Sequence, residues 1–402
     1  MSTADPSSSL IPAYARLPVS FDRGEGVRLW DREGNEYMDA LGGIAVCGLG
    51  HSHPAVTAAI TEQAKTLLHT SNLFSITHQE NLAQKLCKLS GMDAVFFGNS
   101  GAEANEAAIK LTRLHARRKN IENPVVITFK GSFHGRTMAT LAATGNTKVH
   151  NGFSPLVSEF LHLPYNDITA IEQVIDNKNI VAIMVEPILG EGGIIVPDKG
   201  YLTAIRKICT RQNWLMICDE IQTGVARTGD WYACLAEDIT PDVITSAKAL
   251  GNGIPIGACL TSGDAATLIQ PGHHGSTFGG NPFSCRVALA VLETMEKEDT
   301  RRNAKATGDT LKNILIESLH NRPEFKEIRG RGMMIGIALD TDCAGLVNVG
   351  LENRVIFNVT ANNTVRLLPP CNLSETETIE MGRRIANSIT QHCESKSTVT
   401  EV

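Results

Sequence analysis

Short apolar runs alternate with stretches of helical periodicity along most of the chain. Residues 19–41 carry brief alternating runs broken by Asp22-Arg23-Gly24 and Glu33-Gly34-Asn35, which predicts a small β-meander. From Pro54 the apolar positions Val56, Ile60, Ala64 and Leu67 recur at helical spacing, predicting a helix to about Leu68. Further helices are predicted over 78–89, 103–118, 199–211, 283–297, 303–320 and 375–392. Between them, residues 94–97, 125–129, 181–185, 214–218 and 243–245 are compact and β-rich, and later strands fit 334–339 and 365–368. Strands that alternate with helices predict a parallel sheet covered on both faces. The alternation ends near residue 281. The reading is therefore an α/β chain with a large, mostly parallel-sheet domain over 61–282 and a smaller α+β domain over 283–402, which the first 60 residues join. Residues 1–10 read as a flexible arm, and 395–402 as a polar tail.

Composition narrows the function classes. At 402 residues the chain suits two or three domains, and 42% hydrophobic with 20% charged is ordinary globular usage. A formal net charge of −6 and the lack of a Lys/Arg block argue against nucleic acid as partner. No apolar run approaches the roughly 18 residues of a membrane span. The first ten residues have neither a basic segment nor an apolar core, so no leader is read there, and a cytoplasmic location is expected. The 10 cysteines contain no C-x-x-C pair and read as reduced, mostly buried thiols. His51-x-His53 and His273-His274 lack partners at ligand spacing, so no metal is expected.

Four stretches, each just after a predicted strand, carry the candidate chemistry, because ligands of doubly wound sheets bind beyond the strands' carboxyl ends. In Gly98-Asn99-Ser100-Gly101-Ala102-Glu103-Ala104-Asn105, a small-residue loop opens a helix whose free N–H groups suit an anion. Lys130-Gly131-Ser132-Phe133-His134-Gly135-Arg136 offers an aromatic ring and a guanidinium fork for a carboxylate. Trp214-Leu215-Met216-Ile217-Cys218-Asp219 delivers one carboxylate to a strand end, where burial demands a cationic partner. Finally, Lys248 stands in a small-residue, Gly-rich neighbourhood, where desolvation would make its amine nucleophilic. Taken singly, each also fits a plain role: a capped turn, a core Phe beside a surface Arg, a helix N-cap, a loop Lys. Together they supply a phosphate cup, a ring cover, a partner for a pyridinium nitrogen and an imine-forming Lys, the set that holds pyridoxal 5′-phosphate.

With these stretches and Glu186-Pro187-Ile188-Leu189-Gly190-Glu191-Gly192-Gly193 and Gly275-Ser276-Thr277-Phe278-Gly279-Gly280-Asn281-Pro282, the chain resembles the class III (ornithine-type) aminotransferases of fold type I, from about Tyr14 to His392. The resemblance implies pyridoxal-phosphate-dependent transfer of an ω-amino group. The cues His69-Thr70-Ser71-Asn72-Leu73-Phe74 and Val365-Arg366-Leu367-Leu368-Pro369-Pro370 favour N2-acetyl-L-ornithine as donor and 2-oxoglutarate as acceptor. Succinylornithine, N-succinyl-diaminopimelate, ornithine and 4-aminobutyrate are the rival donors, and an aminomutase is the rival reaction.

Carried over by position, the resemblance assigns catalysis to Lys248 and Asp219. It assigns the phosphate to Ser100, Gly101, Ala102 and, across a homodimer with shared sites, Thr277. The ring falls to Phe133, Ile221 and Gln222, and substrate to Arg136, Ser71, Asn72, Ser276 and Arg366, with Glu191 neutralising Arg366 while the donor is bound. Four positions depart from the family pattern: Ile221 for Val, Leu189 for Gln, Asn252 for Gly and Ala226 for Gly.

Overall fold

A computed structural model of the protein describes residues 9–400, with side-chain surroundings given through residue 395. Most of the arm read over residues 1–10, and the last two residues, lie outside the described residues. The chain opens with the antiparallel strands β1 (Phe21–Glu25), β2 (Arg28–Asp31) and β3 (Glu36–Asp39). A single turn, α1 (Gly42–Ala45), and the helices α2 (Pro54–Thr66) and α3 (Thr77–Ser90) lead into the large sheet.

That sheet is built from β4 (Ala94–Gly98), β5 (Val125–Phe129), β6 (Phe160–Leu163), β7 (Ile180–Val185), β8 (Leu215–Asp219), β9 (Val243–Ser246) and β10 (Gly257–Thr261). Their spatial order is β4-β10-β9-β8-β7-β5-β6, and β10 alone runs against its neighbours β4 and β9. The intervening helices are α4 (Gly101–Arg118), α5 (Met138–Ala143), α6 (Ile168–Glu172) and α7 (Tyr201–Gln212). Every residue of β7 and β8 is buried, because both sheet faces are covered. Alternate side chains divide between two cores: Met216 and Cys218 face the one that contains Tyr201 and Ile205 of α7, while Leu215 and Ile217 face the one that contains Ala108 and Leu111 of α4.

After β10 come α8 (Pro282–Lys297), α9 (Thr300–Leu319), β11 (Phe325–Arg331), β12 (Met334–Leu339), α10 (Leu346–Glu352), β13 (Val355–Ile356), β14 (Asn358–Thr360), β15 (Thr364–Leu367) and α11 (Glu375–Thr400). Strands β11, β12, β15 and β14 form a second sheet, with a core of its own from α9, β12, β15 and α11. Strand β13 pairs in parallel with β3, so the first strands and the last third of the chain share one sheet. The architecture is α/β, a large mostly parallel sheet with smaller α+β sheets, as expected.

The structure corrects the ends of some elements. Backbone helix continues to Thr400, where a polar tail is expected from 395. A polar sequence remains helical there because nothing in it, neither Pro nor Gly, stops the helix. Strands β6, β10 and β11 carry too few β-branched or alternating residues to be read from the sequence. In β10 the small side chains have a packing cause: a Cβ on Gly257 would lie 2.1 Å from the Ser100 carbonyl oxygen.

Candidate active site

Strands β4, β5, β7, β8 and β9 point the same way, so their carboxyl ends converge on one edge of the sheet. The loops that follow them wall a cavity of about 420 Å³. Its volume lies in the range of ligand sites.

Asp219 ends β8, with 4% of its surface exposed. Its Oδ2 accepts from Asn105 Nδ2 at 2.8 Å and lies 2.8 Å from His134 Nδ1, while Oδ1 accepts the Ile221 backbone N–H at 3.1 Å. No Lys or Arg pairs with it among the described residues. Across the cavity Ser100 caps α4, its Oγ accepting the Glu103 N–H at 3.1 Å. The next residues, Gly101 and Ala102, line the cavity at the start of that helix. Gly101 has no room for a side chain: a Cβ would meet Ile221 Cδ1 at 2.7 Å. Ile221, Gln222 and Phe133 also line the cavity. Arg136, exposed at the mouth, has its guanidinium 5.7 Å from the Phe133 ring centre.

Lys248 follows β9, with a backbone φ of 44°, an uncommon conformation for a side-chain-bearing residue. Its amine has no hydrogen-bond or ion-pair partner among the described residues. Burial, and next the Arg366 guanidinium, push its ammonium down to about 8, against the pull of Glu191, Asp219 and Glu186.

Arg366 lies on β15 and is fully buried. Its Nη1 donates to Glu191 Oε1 at 2.5 Å and reaches Gln222 Oε1 at 3.4 Å, and its Nε donates to Asn358 Oδ1 at 3.1 Å. Glu191 is about one-third exposed, so this pair has a buried cation and a solvent-facing anion.

Three further groups belong to the site without having been singled out from the sequence. Asn105 and His134 orient Asp219, and each keeps one buried polar atom unpartnered, Asn105 Oδ1 and His134 Nε2. Glu186 follows β7 and accepts the Phe133 N–H at 2.8 Å and the Gly190 N–H at 3.0 Å. Burial pushes its carboxyl up to about 7; His134 and the two backbone N–H groups oppose that rise, while Asp219 adds to it. All three stand inside the motif stretches, but apart from Gly190 their partners lie far away in sequence and left no signal there.

Six expected residues do not line this cavity: Glu191 and Arg366 reach it through Gln222, and the other four lie apart. Asn72 and Ser276 line a neighbouring cleft, where Asn72 Nδ2 donates to the carbonyls of Ser276 and Gly279 at 3.1 and 3.0 Å. Ser71 and Thr277 are exposed. The paired histidines have other employment: His51 Nε2 lies 2.7 Å from Asp39 Oδ2, His53 beside Glu298, and Lys110 reaches the His273 carbonyl and the His274 ring.

A family model described as aminotransferase class-III matches residues 11–389. The chain belongs to the class III aminotransferases. An acetylornithine aminotransferase from Nitrosomonas europaea is 49% identical over 97% of this chain and 99% of its own length. One from Methanothermobacter thermautotrophicus is 42% identical over 92% of this chain and 93% of its own. Among solved structures, an ornithine aminotransferase from Toxoplasma gondii with pyridoxal phosphate at partial occupancy in its active site superposes with a TM-score of 0.93, at 34% identity over 97% of this chain and 94% of that one. The N-acetylornithine aminotransferase of Stenotrophomonas maltophilia K279a gives 0.84, at 34% identity over 95% and 98%.

A class III aminotransferase takes pyridoxal 5′-phosphate, and this cavity fits it. Asp219 is a buried carboxylate that lacks a Lys or Arg partner, Lys248 is an unengaged amine of depressed basicity, and the helix start at Gly101 and Ala102 is free for an anion. The enzyme is a pyridoxal-phosphate-dependent aminotransferase.

Proposed function

We propose that the chain transfers the terminal amino group of N2-acetyl-L-ornithine to 2-oxoglutarate, giving N-acetyl-L-glutamate 5-semialdehyde and L-glutamate, as a cytoplasmic homodimer. When bound, the cofactor supplies an aldehyde that accepts the amino group and a protonated ring that withdraws electrons. Lys248 Nζ takes the proton from the donor's terminal carbon, and an amine near neutral basicity is suited to that work. Asp219, oriented by Asn105 and His134, would keep the proton on the ring nitrogen. Gly101, Ala102 and Ser100 would hold its phosphate, and Phe133, Ile221 and Gln222, which line the same cavity, would hold its ring.

The observation that carries the substrate reading is the Glu191–Arg366 pair, which meets the cavity through Gln222, together with Arg136, which lines the cavity without an ion-pair partner among the described residues. The donor has one carboxylate, remote from its reacting amine; the acceptor has one at each end. A site that presents Arg136 always, and Arg366 only when Glu191 withdraws, serves both. The three acetylornithine aminotransferases named above support the acetylated donor. So does the lining: Val46, Ile254, Pro255 and Ile256 suit an uncharged acyl group. Glu186 and Asp219 are both engaged, which leaves neither for the α-ammonium of free ornithine.

For the dimer, exposed Leu67, Leu68, Leu73, Phe74 and Phe278 beside Ser71 and Thr277 support a partner-covered face, from which Ser71, Asn72, Ser276 and Thr277 serve the neighbouring subunit. We propose a division into 61–282 around the cofactor and 1–60 with 283–402 as the smaller domain; the β3–β13 pairing and the second core, which takes in the chain from α9 onward, support it, while α8 packs in the core of the large sheet. The gate is tested by replacing Glu191 with Ala. Activity with L-glutamate as donor should rise at least about tenfold relative to N2-acetyl-L-ornithine, the effect of about 1.4 kcal/mol at the transition state. An unchanged ratio would remove the gate from the account.

A further inference from the structure

We infer that Glu186 is a positioning residue that locks the ring-covering loop of Phe133 to the gate loop of Glu191, so that donor selection depends on its carboxylate. The inference rests on the gate reading above and deepens it.

The geometry is specific. Glu186 has 4% of its surface exposed, and its own backbone is fixed from a third loop: the Tyr165 hydroxyl donates to the carbonyls of Glu186 and Pro187 at 2.9 and 3.1 Å. From that anchored base the two carboxylate oxygens divide their work. Oε1 accepts the N–H of Phe133, in the loop after β5, and Oε2 accepts the N–H of Gly190, the residue before Glu191.

Gly190 is itself confined, since a Cβ there would lie 2.5 Å from Gln222 Nε2. Gln222 in turn reaches Arg366 at 3.4 Å. A shift of the Gly190 backbone therefore moves Glu191 directly and presses on the side chain that shares Arg366 with it. A carboxylate that merely satisfied itself could have used any two donors. The two it takes are the backbone amides that set the position of the ring cover and of the gate. Only an acceptor on both sides does this. A glutamine keeps one acceptor oxygen, and its NH2 group then faces a backbone N–H, donor against donor.

The test uses the cofactor-loaded enzyme and three variants, E186Q, E186D and E191A. Hydrogen exchange read by mass spectrometry should show the backbone of 131–137 or 188–193 exchanging about tenfold faster in E186Q, with the 219–223 segment unchanged. The kcat/KM ratio of L-glutamate to N2-acetyl-L-ornithine should rise about tenfold in both E186Q and E191A, because a plain loss of folded enzyme lowers both donors equally and leaves their ratio alone. E186D keeps the charge on a shorter arm that spans one loop, and should behave like E186Q; it stands in if E186Q does not fold. Unchanged exchange in both loops, or an unchanged ratio in the Glu186 variants while E191A shifts it, overturns the inference and leaves the proposed function standing. A ratio that E191A itself leaves unmoved overturns the gate reading, and this inference with it.

Discussion

Lys248 differs from a surface lysine in two ways, and both follow from its position after β9. Its backbone sits at φ 44°, a strained conformation of the kind that clusters at functional sites. Its ammonium is pushed down to about 8 by burial and then by Arg366. The consequence is a free-amine fraction of about one in ten at pH 7, against roughly one in a few thousand for an ordinary lysine. Only the deprotonated amine attacks an aldehyde. The rate at which cofactor-free protein captures pyridoxal phosphate covalently should therefore rise with pH and level off above about 8. Stopped-flow absorbance across pH 6–10 measures it; a rate still climbing tenfold per unit at pH 9 would place the amine near its ordinary basicity and contradict this account. The Lys248 reading was open to the sequence because one lysine stood after an apolar strand amid small residues. What the sequence did not contain was the company it keeps: Arg366 lies more than a hundred residues away, and only the fold brings its charge to bear.

At the scale of the element, the loops after strands decide the site, and one departure from the family pattern explains itself there. Asn252 stands in the lysine loop at φ 45°, a conformation Asn tolerates better than most side chains. Its Oδ1 accepts the Leu49 N–H at 2.8 Å, and its Nδ2 donates to the Gly50 carbonyl at 3.1 Å. The side chain thus ties the lysine loop to the N-terminal segment. Replacing it with Gly keeps the backbone conformation and removes the tie, so N252G should lower the unfolding free energy by about 1–3 kcal/mol, read as a shifted denaturation midpoint at unchanged slope. No shift would mean the two bonds contribute nothing net.

Ala226 is likewise at positive φ, 68°, and fully buried. The strain it carries, about 1 kcal/mol, is of the same size as the burial of its methyl group, which is how the position tolerates Ala. Strands β7 and β8 were legible because burial on both faces writes a continuous apolar run into them. Strand β10 was not, since its Gly257 answers to the close approach of Ser100 and not to strand propensity.

The whole molecule is held together by contacts that no local pattern encodes. Arg227, fully buried in a loop beyond β8, donates to the carbonyls of Met333 and Pro369 and so joins the large sheet's surroundings to those of the smaller one. The pairing of β3 with β13 does the same for the two ends of the chain. The cross-chain site proposed above would be the least legible feature of all. The sequence offered Ser71, Asn72, Ser276 and Thr277 as site residues by resemblance, and none of them lines the cavity of its own chain.

A second subunit that covered Leu73, at 86% exposure, and Phe278, at 61%, would reconcile the two. Sedimentation should give twice the chain mass of 43.3 kDa. A Leu73→Asp, Phe278→Asp double variant should sediment as a monomer and lose most of its affinity for pyridoxal phosphate. A monomeric wild-type enzyme with full activity would refute the shared site.

The central claim is that this cavity carries pyridoxal phosphate on Lys248 and uses it to move the terminal amine of N2-acetyl-L-ornithine. The most direct measurement is the absorbance spectrum of the purified enzyme through one exchange of substrates. The account predicts a visible band that disappears into the near-ultraviolet on addition of N2-acetyl-L-ornithine and returns on addition of 2-oxoglutarate, with neither change in a Lys248→Ala variant. A visible band indifferent to this donor but bleached by another ω-amine would contradict the substrate assignment. No visible band after incubation with pyridoxal phosphate would contradict the role of Lys248 itself.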